Sequence, residues 1–292
     1  MRRLKNCVFF LVALLGLNGA AYASAGDVAG DVLETDIDTE FGGAAIPSFA
    51  IGGETLIAAE DLGAYGYHVY YDDQIRCLFV TFGEEPAVPL PVQTAPETDI
   101  GTVVGRYYES DIRVFINGVP VEGYALDGKM AVCVEDLGAA QEAGGVSPYG
   151  MQYCYDDVQR KLSFWNAFDK LPPKEEQKQA WVAERENDIL SSDYDSWEGD
   201  GFELVRYSVH GTPHGTYDYY GLFWDNGLSI DLFEVFDAYG LRDTWGRVLV
   251  LPDTMELSGT QMFFSAADSL NDTTMNTRYV MDLKILAVRK AE

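Results

Sequence analysis

Between residues 113 and 134 apolar and polar positions alternate in short runs, interrupted by Asn117-Gly118 and Asp127-Gly128. That pattern predicts strands over Arg113 to Ile116 and Val119 to Leu126, joined by a tight hairpin, with Met130 to Val134 following. Glu135-Asp136-Leu137 then starts a short helix, its acidic side chains suiting a helix N-terminus. Tyr153 to Tyr155 and Lys161 to Trp165 form a further hairpin that turns at Asp156-Asp157. The same order occurs earlier in the chain. Residues 35 to 64 align without a gap on residues 110 to 139: Asp36/Asp111, Ile37/Ile112, Gly43/Gly118, Gly53/Gly128, Glu60/Glu135, Asp61/Asp136 and Leu62/Leu137 are identical. YDDQIRCLFV at 71 to 80 then matches YDDVQRKLSF at 155 to 164. The front half is a duplication, with copies at residues 35 to 82 and 110 to 165. In the first copy Gly42-Gly43 replaces Asn-Gly, and glycine tolerates the positive φ such a turn demands.

Other segments follow from local composition. Residues 26 to 34 read as an acidic linker, and residues 83 to 109, with Pro86, Pro89, Pro91 and Pro96, as an extended spacer. After Pro172-Pro173, KEEQKQAWVAERENDILSSD predicts a linker helix, and DYDSWEGDG predicts an acidic loop, so residues 166 to 201 connect two parts. From Phe202 to Glu292 the pattern is antiparallel β, including Phe202 to Val209, Thr216 to Trp224, Leu228 to Tyr239 and Tyr279 to Arg289, although Ile230 to Tyr239 also suits a helix. The expected fold class is α+β and β-dominated: two strand-rich repeats each with a short helix, a linker helix, then an antiparallel sandwich or open barrel.

Charge and processing signals narrow the setting. Arg2, Arg3 and Lys5 precede an apolar run from Cys7 to Leu17 and small residues to Ala25, the pattern of a cleaved signal peptide over residues 1 to 25. The expected location is therefore extracellular or in the cell envelope, with no membrane insertion after cleavage. The formal net charge of −27 grows more negative once that basic leader is gone, which argues against nucleic acid and anionic lipid as partners. Beyond the leader stand Cys77, Cys133 and Cys154, an odd set that allows one bridge at most; Cys133 and Cys154 fall in one copy and are the candidate pair.

The order Asp-Ile, Asn-Gly, Asp-Gly, Glu-Asp-Leu, then Tyr-Asp-Asp with Arg and Leu resembles the copper amine oxidase N-terminal-like repeat of bacterial cell-surface proteins. The resemblance covers residues 35 to 82 and 110 to 165 and implies a stalk-like module that carries neither copper nor the quinone cofactor.

Candidate chemistry concentrates in HGTPHGTYDYYG, residues 210 to 221. Thr216-Tyr217-Asp218-Tyr219 lacks the asparagine of the amine oxidase cofactor motif, and His210 and His214 are spaced wrongly for its histidine pair. A plain metal site would need a tight loop bringing His210, His214 and Asp218 together. Tyr217, Tyr219, Tyr220, Trp224 and Trp245 offer flat surfaces for a cell-wall or other polysaccharide, with core packing as the competing use. The competing class is a small secreted hydrolase with Asp218 and Asp225 as its acid/base pair. A non-catalytic binding or scaffolding role without a cofactor is the leading expectation.

Overall fold

A computed structural model describes residues 24–83, 88, 98–185, 191–212, 215–269 and 272–291. Strands hold 54% of the described residues and helices 14%, so the fold is β-dominated as expected. Each copy has its short helix, a 3-10 turn at Ala59–Tyr65 and an α-helical turn at Val134–Leu137. Among the described residues no helix is long and apolar enough to cross a membrane. The predicted leader lies outside the described residues except for Ser24 and Ala25.

The two copies are interleaved rather than strung in series. A closed barrel runs through Val28–Leu33, Ser48–Ile51, Glu54–Ala58, Lys129–Cys133, Tyr124–Leu126 and Val103–Glu109, back to the first strand. Its two seams between copies are antiparallel and centred on equivalent residues. Ile57 faces Val132, flanked by Leu56↔Cys133 and Ala58↔Ala131, and Asp31 faces Arg106 across the other seam. These centres define a pseudo-two-fold axis through the barrel. The strands Val28–Leu33 and Val103–Glu109 lie in the stretches that the sequence reads as linker and spacer, and they extend the duplication. Val28/Val103, Gly30/Gly105 and Glu34/Glu109 are identical at the same offset as Asp36/Asp111.

Outside the barrel each copy lends a strand to the other. Cys77–Phe82 of the first copy pairs parallel with Arg113–Ile116 of the second, and Lys161–Asn166 of the second pairs parallel with Asp38–Phe41 of the first. Phe41, Ile57, Leu78, Val80, Val114, Val132, Leu162 and Phe164 meet in one core drawn from both copies. The expected strand Val119 to Leu126 is divided, Val119–Val121 joining the mixed sheet and Tyr124–Leu126 the barrel. Asn117 and Gly118 take φ of 50° and 76°, the pair of positive values that a tight hairpin uses.

The repeated polar residues act between copies. Arg76 Nε lies 3.1 Å from Asp111, and its counterpart Arg160 binds Asp36 through Nε at 3.1 Å and Nη2 at 2.9 Å. Glu60 accepts the Met130 amide at 3.0 Å, while Glu135 accepts the Thr55 amide at 3.1 Å. Asp72 and Asp156 keep to turn chemistry, accepting amides two residues on at 3.0 Å and 2.9 Å. Hydrogen bonds from Arg160 and Arg76 hold the Asp36 and Asp111 carboxyls below their ordinary value of 3.8. A carboxylate depressed on folding stabilises above its unfolded pKa and loses that contribution as pH falls through the folded value. The thermal midpoint should therefore drop between about pH 5 and pH 2, and the double variant Arg76→Met/Arg160→Met should show a shallower drop in a series of melting curves. Equal slopes would show that these pairs hold nothing together.

The back half consists of two antiparallel sheets. One orders Ser191–Glu198, Phe202–Thr212, Gly215–Trp224 and Ser229–Asp231; the other orders Val250–Ser258, Gln261–Ser269, Asp272–Asp282 and Ala287–Lys290. The ambiguous segment resolves into the strand Ser229–Asp231 and the helix Phe233–Ala238. The segment read as an acidic loop is a strand instead, because Asp195 sits opposite Arg206 and Trp197 opposite Leu204, giving both its charge and its indole a partner. Tyr279 to Arg289, read as one strand, is a hairpin that turns through Leu283 to Leu286. The helix after Pro172-Pro173 spans Lys174–Ala183. Trp181 packs edge-on against Phe223 at 5.7 Å and Lys178 reaches Glu203 at 2.6 Å, so the helix covers the outer face of the first of these sheets.

Front and back share a core. Cys77, Phe79 and Phe115, from the mixed sheet, join Leu204, Leu222, Phe236, Phe264 and Met281. This explains why CLFV reads as a continuous apolar run: odd positions face the back half and even positions face the front core, as in a sheet covered on both sides. Phe79 stacks on Phe115 at 5.0 Å and on Tyr239 at 5.9 Å, and the Thr81 hydroxyl donates to the Lys284 carbonyl. At Gly118 the approach leaves no room for a side chain, since a Cβ there would lie 2.3 Å from Ile230 Cγ2.

Candidate functional site

The hairpin Phe202–Thr212 and Gly215–Trp224 aligns Tyr219 with Tyr207, Asp218 with Ser208 and Tyr217 with Val209. Strand alternation puts Tyr217 and Tyr219 on one face and Asp218 and Tyr220 on the other. The rings of Tyr217 and Tyr219 stack 6.5 Å apart at 20°, and the Arg185 guanidinium lies 5.2 Å over Tyr219. Tyr217 Oη meets the Trp245 carbonyl at 3.4 Å. The Trp245 residue is 61% exposed, the largest side chain left so open on this half.

Trp245 is held in a tight turn. The Asp243 carboxylate accepts the Trp245 amide at 2.9 Å, the Arg247 amide at 2.8 Å and Arg247 Nε at 2.9 Å. Burial alone would raise the Asp243 pKa; these donors outweigh it and hold the carboxyl below its usual range. Gly246 adopts φ +83°, which lets the chain double back and leaves the indole outside.

The remaining candidates fall elsewhere. Trp224 points to the opposite face at the far end of the strand, about 23 Å along from Tyr217 at 3.3 Å per residue. There it lines a cleft of about 360 Å³ with His68, Asp200, Asn226 and Lys284, between the front and back halves. Tyr220 is 1% exposed and packs against Phe236 at 5.5 Å, so it belongs to the core and not to a platform.

His210 is engaged on both ring nitrogens, by Asp193 at 2.8 Å and Thr216 at 3.0 Å, in a bridge across the strands. Asp218 accepts the Ser208 hydroxyl and lies 3.9 Å from Arg206, and His214 falls outside the described residues. Among the described residues no three His, Cys, Asp or Glu side chains gather as metal ligands. Asp225, the proposed partner of Asp218 in a hydrolase, is bound to Lys174 at 2.7 Å beyond the end of the strand, so the two carboxylates do not converge.

All three described cysteines are free. Cys133 faces the barrel core with Leu56 and Leu126, whereas Cys154 belongs to a different sheet, so sharing one copy does not bring them together. Burial, with the Glu135 carboxylate 3.1 Å from the sulfur, pushes the Cys133 pKa up to about 12 and leaves the thiol unreactive.

One feature of the front half has no counterpart in the motif reading. A cavity of about 560 Å³ opens beside the Arg76–Asp111 pair, walled by Tyr71, Tyr108, Glu60 and Lys129. Its walls come from both copies, so no contiguous stretch of sequence contains it. Comparison of the chain with family models, curated proteins and solved structures returned no match.

Proposed function

We propose that this is an exported, non-catalytic protein of the cell envelope or the extracellular space, whose interleaved stalk-like repeats carry a C-terminal β domain that binds polysaccharide. The observation that carries the reading is the open Trp245 indole beside the stacked Tyr217–Tyr219 pair. Sugar rings present one face of C–H groups, which lies well on such flat surfaces, and a shallow exposed patch suits a chain better than an enclosed small molecule. Export rests on the basic, apolar and small-residue order of residues 1 to 25. The stalk role rests on the resemblance of the repeats, and it fits the polar side chains common to both copies being spent on holding one copy to the other.

The test is a binding screen of the mature chain against immobilised glycans and isolated cell-wall polysaccharide. Binding should weaken about tenfold, close to 1.4 kcal/mol, in Trp245→Ala. Undiminished binding by that variant would remove the C-terminal surface from the proposal.

A further inference from the structure

The pseudo-two-fold axis supplies an internal comparison, because every residue lining the front cavity has an equivalent in the other copy. Residues that the fold needs recur: Arg76/Arg160, Asp111/Asp36, Glu60/Glu135 and Tyr71/Tyr155. Five wall residues do not recur; Ala25, Ser110 and Met130 face Ile100, Thr35 and Thr55 in the alignment, and the other two bring a ring and a cation. Tyr108 stands where the other copy has Leu33, and Lys129 stands where it has Glu54. An aromatic ring and a cation thus stand on one side of a symmetric frame whose other side carries neither at the equivalent positions. We infer that this cavity is a second, separate saccharide site, taking a short stretch of a neutral oligosaccharide.

The wall chemistry selects that class. Tyr71 and Tyr108 are 40% and 39% exposed, offering ring surface to a sugar. Arg76 spends Nε and Nη2 on Asp111 and one Nη1 hydrogen on Tyr71, and Lys129 spends one on Asp61, so both keep N–H donors for a ligand. Glu60 and Asp111 supply acceptors next to them. Hydroxyl groups donate and accept at once and match such alternating walls. An anion would meet Glu60, Glu109 and Asp111 in a protein of net charge −27, and a bare cation finds no cluster of three ligands among the described residues. The volume, about 560 Å³, falls among those of ligand sites.

The inference extends the proposed polysaccharide role to the front half but stands on different residues, and the experiment keeps the two apart. The mature chain carrying Trp245→Ala, which weakens the C-terminal surface about tenfold, is titrated calorimetrically with the hexasaccharides of β-1,4-glucose, β-1,3-glucose, β-1,4-xylose and β-1,4-N-acetylglucosamine. At least one should bind, and adding Tyr108→Leu should weaken that binding at least fivefold. Leucine is the residue the other copy carries there, so the fold has a precedent for it. Should that variant fail to fold, Lys129→Glu, which copies Glu54, takes its place under the same criterion. A loss below fivefold, or no binding of any of the four to the Trp245→Ala chain, overturns the front site. In the latter case binding by the unaltered chain would leave the C-terminal surface standing alone.

Discussion

Phe79→Ala should lower stability by about 3–5 kcal/mol and should do so in both halves of the molecule at once. Phe79 is fully buried, stacks on Phe115 of the second copy and on Tyr239 of the back half, and belongs to the core that joins them. A urea titration followed by circular dichroism and by tryptophan fluorescence gives two views, since Trp165 lies in the front half and Trp181, Trp197, Trp224 and Trp245 behind it. The two curves should move together to lower denaturant and stay superimposed. Separation of the curves, with only one displaced, would mean that the halves unfold independently and that the shared core holds neither.

Lys178→Met should cost about 3–5 kcal/mol, and Lys178→Met/Glu203→Leu should recover most of that loss. The side chains of Lys178 and Glu203 are only 12% and 4% exposed, and their 2.6 Å contact ties the linker helix to the sheet. Burial by itself would lower the lysine pKa, yet the hydrogen bonds that Lys178 donates to Glu203 and Glu175 hold it above the ordinary value. Removing the ammonium leaves a carboxylate in a dry place with no counter-charge, and that penalty dominates the single variant. Replacing both by apolar groups removes the penalty. Chemical denaturation of the three proteins decides the matter: a double variant no more stable than the single would show that the cost arises from lost packing around Trp181.

Parts of this architecture are legible in the residues. The duplication, the Asn117-Gly118 turn and the helix after Pro172-Pro173 depend on local chemistry, and each begins where the pattern places it, although the helix ends at Ala183 and Ser191 to Asp193, read as part of it, lie in a strand. The extension of the repeat to Val28 and Val103 is readable too, but Val32/Tyr107 and Leu33/Tyr108 differ between the copies and obscure it. Strand exchange is another matter. A two-residue period tells which side chains face a core but not whose edge a strand will join, and the parallel pairs Cys77↔Arg113 and Lys161↔Asp38 leave no local trace. The run Cys77 to Val80 does hint at a sheet covered on both faces. The strand Ser191–Glu198 escapes notice because Asp and Ser are poor strand formers, and only its neighbour Arg206 makes the charge acceptable there.

The candidate surfaces divide in the same way. Alternation places Tyr217 beside Tyr219, and it also sends Trp224 away from them once the strand's length is taken into account. The meeting of Tyr217 with Trp245 depends on how the second sheet is reached, which no spacing encodes. The front cavity requires the exchange before its walls can be assembled, although the departures at Tyr108 and Lys129 stand in plain view once the copies are aligned.

Because each copy completes the sheets of the other, a chain emerging N-terminus first has no finished unit to close when Phe82 appears. Its strand edges stay open until Lys161–Asn166 has arrived to pair with Asp38–Phe41. A polypeptide holding one copy would meet the same need only by joining a twin across the axis marked by Ile57 and Val132. Tandem duplication has thereby turned an encounter between two molecules into a folding step within one, independent of how dilute the protein becomes.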